Sequence, residues 1–317
     1  MTIPPRFADL QRLDVSYSSL NLADHCLRKF EFRKFYPQKP WGDDQFAADV
    51  GKAMHSAIQS WCTDGDEDKA YWILMKEYPY VWEFHQERDD RSLEAAISTL
   101  EAVFDSDLMD NYELVEIRCP DGVVRPAVEV PFEIELLGVT VADNVPVFYT
   151  GWIDMLMRNR STGLVRPVDI KTTRVSSRDS TPKYKFDSQQ IPYGFVAEHL
   201  QGIPLESFEV LYLECYLDLV EPRVIPYPFP KSREDLQEWM LNTLIRLGTI
   251  QRSMAMDYFP RTDGGCVSFM RPCYFLDVCE TRNREAITDW LLEGYEPAEA
   301  REWNPWVKIQ LDMGLGG

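Results

Sequence analysis

The sequence predicts a single α/β domain with a helical N-terminal region folded back on it. Three observations carry this. Before about residue 110, apolar residues recur at helical spacing. From Tyr112 to Tyr227, β-branched and aromatic runs are broken by Gly, Pro, Asn and Asp, with one helical segment among them. A long amphipathic stretch and a cysteine-containing tail follow. The expected divisions are a helical region over 1–110, a sheet core over 111–230 and a C-terminal helix and tail over 231–317.

Ser18 and Ser19 read as the cap of a helix running to about Tyr36, where Pro37 and Pro40 end it. A second helix is expected from about Asp43 to Cys62, with Phe46, Val50, Met54, Ala57, Ile58 and Trp61 on its apolar face. The acidic stretch that follows also reads as helical, with Leu93, Ala96, Ile97, Leu100, Val103 and Phe104 on one face. Strands are expected at Tyr112–Arg118, Val128–Leu137, Val147–Met157 and Val165–Thr172. A helix from about Ser188 to Gln201, stopped by Gly202, precedes strands at Phe208–Leu217 and Arg223–Tyr227. The long helix spans Ser232–Met256, and a short one lies near Ala286–Glu293.

Composition excludes several classes. At 45% hydrophobic and 13% aromatic residues, 317 residues carry ample core material, which rules out wholesale disorder. No apolar run approaches the roughly 18–20 residues of a membrane span. Met1–Arg6 opens without an apolar signal region, so a cytoplasmic setting is expected. There, seven cysteines read as thiols or metal ligands rather than disulfides.

The net charge of −19 argues at first against a nucleic-acid partner. Its distribution reverses that inference. Residues 64–117 hold sixteen acids against four bases. Cys26–Lys39 holds five bases against one acid, and Arg166–Lys185 six against two. Solvated helix faces of both signs are the plain alternative. A chain so charged is expected to bind bulk duplex weakly and in a salt-sensitive way, and so to depend on free ends or a recruiting partner.

Two central segments carry chemistry. Gly151-Trp152-Ile153-Asp154 and Pro167-Val168-Asp169-Ile170-Lys171 both fall on expected strands, and the 14 residues between the acids suit a hairpin. Alternation puts Asp169 and Lys171 on one face. Two carboxylates can share a divalent cation, and a neighbouring ammonium can orient its bound water. Alone, an Asp-x-Lys is more often an exposed edge-strand pair. Here it stands in an ordered series: Gly51-xxx-His55, Gly151-xx-Asp154, Asp169-x-Lys171, then Gln189-xxx-Tyr193. Glu129, on the preceding strand, reads equally well as a solvent-facing acid.

That series resembles the RecB-type nucleases of the PD-(D/E)xK superfamily. The opening Tyr17–Tyr36 is similar to the family's N-terminal helix, and the likeness runs to about Cys279. At the first acidic motif, Ile153-Asp154 stands where the superfamily name expects Pro-Asp, and Asp169 stands where many members have Glu. The resemblance implies a restriction-endonuclease-like core, a central mixed sheet flanked by helices, with a Cys-rich C-terminal tail. It implies that His55, Asp154, Asp169 and the Ile170 carbonyl bind Mg²⁺ or Mn²⁺. Lys171 would position the attacking water, and Gln189 and Tyr193 would orient the scissile strand or the lysine.

Cys266, Cys273 and Cys279 lie close together in the tail. Four thiolates suit an iron–sulfur cluster or Zn²⁺ equally on ligand count. A subset of the RecB-like family joins one N-terminal cysteine to three C-terminal ones around a [4Fe–4S] cluster, which implies Cys26, Cys266, Cys273 and Cys279 as ligands here, with Zn²⁺ the alternative. Cys62, Cys119 and Cys215 sit in apolar patterns and read as buried thiols.

The implied activity is a metal-dependent DNA nuclease, an exonuclease on single-stranded ends in recombination, repair or defence, such as the RecB-like enzymes of phages or of CRISPR systems. The clustered bases would line its groove. Phe30, Phe32, Phe35, Tyr36 and Tyr184 are the expected stacking aromatics. A silent nuclease-like scaffold holding DNA ends or a partner protein is the second hypothesis, and a cluster-based redox protein the third. Neither requires His55, Asp154, Asp169 and Lys171 to coincide.

Overall fold

A computed structural model describes residues 7, 10–36, 38–40, 46–79, 92–142, 144–173, 184–201, 207–218, 220–262, 265–268, 271–281, 287, 295–297 and 303–314. The N-terminal elements are β1 (Leu13–Val15), α1 (Tyr17–His25), α2 (Leu27–Phe35) and β2 (Gln38–Pro40). Then come α3 (Phe46–Asp64), α4 (Glu67–Glu77), α5 (Leu93–Phe104) and α6 (Leu108–Asn111). Strands β3 (Tyr112–Leu114), β4 (Glu116–Arg118), β5 (Val124–Pro126), β6 (Val128–Val141), β7 (Val145–Asn159) and β8 (Val165–Thr173) follow. The chain continues with α7 (Ile191–Gln201), β9 (Ser207–Tyr216), β10 (Arg223–Ser232) and α8 (Arg233–Ala255). It closes with β11 (Val267–Ser268), β12 (Arg271–Pro272), α9 (Leu276–Glu280), β13 (Tyr295–Pro297) and β14 (Val307–Asp312).

The chain forms two compact units, each assembled from separated segments. The first comprises Met1–Asp43, Glu133–Gly151 and Glu238–Gly317, and the second Asp44–Phe132 and Trp152–Gln237.

The second unit is the mixed α/β core the sequence predicts. Its strands run β7–β8–β9–β10, antiparallel at both ends and parallel between β8 and β9. Met155, Met157, Val168, Ile170, Leu211, Leu213 and Cys215 point to one face and pack on α3, α4 and α5. That contiguous apolar burial is the main stabilising term of the unit. The opposite face carries Asp169, Lys171, Tyr212 and Glu214, paired across β8 and β9 as Asp169↔Tyr212 and Lys171↔Glu214. On this face α7 approaches closely at Gly194, where any side chain would run into the Phe208 ring. Tyr184 is wholly buried, stacks on Tyr212 at 4.5 Å and donates its hydroxyl to Glu214.

Several boundaries differ from expectation. The first helix is two helices, because Cys26 adopts an extended conformation (φ −164°) between α1 and α2. Its cap is Ser16, in a reciprocal box with Ser19. The Tyr112–Arg118 run is two strands, β3 pairing with β7 and β4 with β5. The Arg223–Tyr227 strand continues to Ser232 despite Pro226, Pro228 and Pro230. These fall on alternate residues of a strand that pairs only with β9 among the described residues, so their missing N–H groups all face the open edge. Of the helix expected near Ala286–Glu293 only the buried Ile287 is among the described residues, and the Gly202 stop lies outside them.

In the first unit, β1 runs parallel to the start of β7, with Leu13 opposite Val147. Arg12 bridges Asp14 and Glu133 and lies over the Phe148 ring. Phe7, Phe30, Phe35 and Phe259 form an aromatic cluster. No helix among the described residues is long and apolar enough to cross a membrane.

Candidate active site

The site is built where β7 and β8 part. Their ladder pairs Met155 with Val168 and goes no further. Beyond it, the Ile170 N–H donates to the Asp154 carboxylate at 2.9 Å. The first acid of the series thus replaces a backbone partner and sits beside the second. On the other side, Lys171 lies 2.6 Å from Asp169 Oδ2. At that separation the two form a close, buried ion pair.

Helix α3 supplies the third group. Gly51, His55 and Gln59 recur every fourth residue and so share a face. A Cβ at Gly51 would stand 3.1 Å from Thr172 Oγ1, which shows how tightly α3 lies on β8. One turn on, His55 Nδ1 reaches to 3.6 Å from Asp154 Oδ2 and meets the Ile170 backbone. Another turn on, Gln59 donates to the Asp154 carbonyl (3.2 Å) and to Glu129 (2.9 Å). Glu129 takes a left-handed conformation (φ 46°), the kind of local strain that clusters at functional sites. Gln59 escaped the sequence reading, although its spacing from His55 was the available signal.

A hydrogen-bond relay completes the set. Lys171 donates to Gln189 Oε1 (3.1 Å), and Gln189 Nε2 donates to the Tyr193 hydroxyl (3.2 Å). Gln189 lies in the turn before α7 rather than on the helix, because α7 starts at Ile191. Asp187, also missed, fixes that turn by accepting from the Gln189 N–H at 2.9 Å.

Electrostatics follow from burial. Asp169 is 1% exposed, and desolvation drives both it and Asp154 well above the usual carboxylate range. Desolvation pulls the Lys171 ammonium down, but Asp169, Asp154 and Asp187 together hold it above its ordinary value. Burial keeps His55 below its ordinary value, against the pull of Asp169. Two crowded, desolvated carboxylates are a hard-oxygen donor set that a divalent cation would relieve. As placed, however, no three His, Cys, Asp or Glu side chains among the described residues form a set that could hold a metal ion. Lys171 and the Ile170 N–H engage the two acids instead.

The cysteines gather in the first unit. Cys26 occupies the break between α1 and α2, Cys266 and Cys273 flank the β11–β12 hairpin, and Cys279 lies in α9. Cys273 N–H donates to the Cys266 carbonyl at 2.8 Å, and a Cβ on Gly265 would stand 3.2 Å from Cys26 Cβ. Burial pushes the Cys279 thiol up to about 11, with further contributions from Cys26, Cys273 and Cys266. The four thiols are therefore electrostatic neighbours, though not a coordination set as placed. Cys62, Cys119 and Cys215 are buried free thiols, as expected.

The expected nucleic-acid surface needs correction. Phe30, Phe32 and Tyr184 are core residues at 1% exposure or less and cannot stack on a base. Phe35 is engaged with Phe7 and Phe259, and Tyr36 packs on Phe32. Arg166 is buried, ion-paired to Glu209 and bonded to Tyr112. Arg28 is committed to Glu31 and the Phe259 carbonyl, while Lys29 and Arg33 lie over Tyr274. Arg174, Arg178 and Lys183 fall outside the described residues.

The close fit at Gly51 is testable. Gly51→Ala gains about 1 kcal/mol of helix propensity but requires Thr172, and the β8 backbone that carries it, to give by a few tenths of an ångström. Stability is expected to change little while any reaction rate at this site falls about tenfold, since small misplacements of reacting groups are costly. Adding Thr172→Ala should restore the rate. Full activity in Gly51→Ala alone would refute the positioning role.

The family model of the PD-(D/E)XK nuclease superfamily matches residues 14–280. No curated protein matches the chain. Among solved structures, a protein from Eubacterium rectale provisionally described as an exonuclease is 15% identical, over 88% of this chain and 91% of that one, with a TM-score of 0.47. The match of the family model spans the acids, the lysine and the helix that brings His55 to them: the chain belongs to the PD-(D/E)XK nuclease superfamily.

Proposed function

We propose that the protein is a Mg²⁺- or Mn²⁺-dependent deoxyribonuclease of RecB type that hydrolyses DNA from single-stranded ends. One observation carries the reading: Asp154, Asp169 and Lys171 meet on diverging strands, with His55 and Gln189 in contact range. His55, Asp154, Asp169 and the Ile170 carbonyl would hold the cation, with Glu129 a further acid beside them. When bound, the cation lowers the pKa of water and screens charge on the phosphorane-like transition state. Lys171, braced between Asp169 and Gln189, directs its ammonium at the attacking water. Tyr193 holds the Gln189 amide in the orientation that leaves its oxygen for Lys171.

A [4Fe–4S] cluster held by Cys26, Cys266, Cys273 and Cys279 belongs to the same proposal, with Zn²⁺ as the alternative. Support comes from the mutual proximity of the four thiols at Cys279. A cytoplasmic setting and a recombination or CRISPR-type defence partner complete it.

The test is a panel of end-labelled linear single strands, circular single strands and blunt duplex, each with Mg²⁺, Mn²⁺ or a chelator. Release from linear single strands alone is expected, and the chelator should abolish it. Cutting of circles would replace exonuclease by endonuclease. Binding without cutting under either metal would favour the silent scaffold.

A further inference from the structure

The site's own surroundings present one side chain whose exposure is at odds with the fixity of its backbone. Phe186 is 79% exposed, among the most exposed large apolar residues described. Single exposed apolar residues are ordinary on a protein surface, so exposure alone decides nothing; here it is joined to a pinned turn beside the acidic site. The turn bearing Phe186 is pinned at every step. Tyr184 before it is buried, stacked on Tyr212 and bonded to Glu214. The Asp187 N–H closes the turn on the Tyr184 carbonyl at 3.2 Å. Lys231, only 4% exposed, donates to the Lys185 carbonyl at 2.7 Å and the Asp187 carbonyl at 3.4 Å, the two residues flanking Phe186. A lysine buried in this way carries a desolvation cost, and what it secures is the placement of this one turn.

The turn also borders the reacting groups. Asp187 bonds the Gln189 N–H and acts electrostatically on Lys171, and Gln189 bonds the Lys171 ammonium. The Lys185 ammonium lies 5.8 Å from the centre of the Phe186 ring. An exposed aromatic face on a pinned turn, beside a cation, is the pairing that takes an unpaired base and its phosphate. It also fills the role that the buried Phe30, Phe32 and Tyr184 cannot.

We propose that Phe186 is the stacking platform for an unpaired nucleobase next to the scissile phosphate, with Lys185 contacting the adjoining phosphate. The inference rests on the nuclease reading and deepens it, because a base presented for stacking must be out of a duplex.

The experiment uses the full chain in chelator, so that nothing is cut, and a single-stranded oligonucleotide carrying 2-aminopurine near its end. Wild type should quench the probe on binding. Phe186→Ala and Phe186→Leu should lose the quench and bind about ten- to a hundredfold more weakly. Phe186→Trp should retain both, and all three variants should melt as wild type does, because the side chain supports no packing. Quench and affinity unchanged in Phe186→Ala overturn the proposal while leaving the nuclease reading standing. Failure of wild type to bind or quench the probe also overturns the proposal, while the cleavage panel with Mg²⁺ or Mn²⁺ decides the nuclease reading separately.

Discussion

Replacing Lys171 by Ala, or Asp169 by Asn, is expected to lower Mg²⁺-dependent release of label from single-stranded DNA by about a thousandfold, the scale of losing a positioned charge at a reacting centre. The Asp169 variant carries a second expectation. An acid whose pKa is raised by folding penalises the folded state once pH exceeds the unfolded value, because the ionised form is disfavoured there. The upward shift of Asp169 already includes the attraction of Lys171. Asn relieves that cost but also removes a partner of the buried Lys171 ammonium, so in the absence of metal at neutral pH the variant should melt close to wild type. Loss of activity with retained or improved stability is the signature of a site held against its own folding interest. An inactive Asp169→Asn that also melts far below wild type would instead make Asp169 a structural residue. Undiminished cutting by both variants would remove the catalytic assignment.

Serine at Cys26, Cys266, Cys273 or Cys279 is expected to give the second large effect. Anaerobically purified wild type should be brown, with about four iron atoms per chain on the cluster reading. Each single Ser variant should lose most of the iron and the visible absorbance, and should melt several degrees lower. The physical reason lies in the segments joined: Cys26 sits in a helix break, and the other three flank a hairpin of two-residue strands or lie in a five-residue helix, held otherwise by one small buried cluster of Phe32, Phe275, Val278 and Ile287. Cys62→Ser serves as the control and should leave metal content unchanged. Stoichiometric zinc with no iron would select the alternative ligand. Colourless, metal-free protein from anaerobic cells would end the proposal.

The sequence disclosed the acidic site unusually well, because its groups are spaced by the rules of regular elements. Alternation alone puts Asp169 and Lys171 on one face, and a hairpin of the observed length brings Asp154 to them. What stayed hidden depends on contacts between elements. Gln59 looks like any polar helix residue until β6 and β7 stand beside it. Arg166 and Tyr184 look like nucleic-acid contacts until Glu209 and Tyr212 bury them. The helix break at Cys26 was invisible because no Gly or Pro marks it. At the break the distant Gly265 packs closely against His25 and Cys26, a contact between segments that local sequence does not show.

The prolines of β10 have a consequence for how this protein meets others. Pro226, Pro228 and Pro230 remove the hydrogen-bond donors from three successive edge-facing positions of β10. An incoming strand would find acceptors there with no donors between them, so it could form only half a ladder. The rim is insulated against polymerisation and against recruitment by strand addition alike. A partner that meets the second unit at this rim must grip it by side chains rather than by a full backbone ladder.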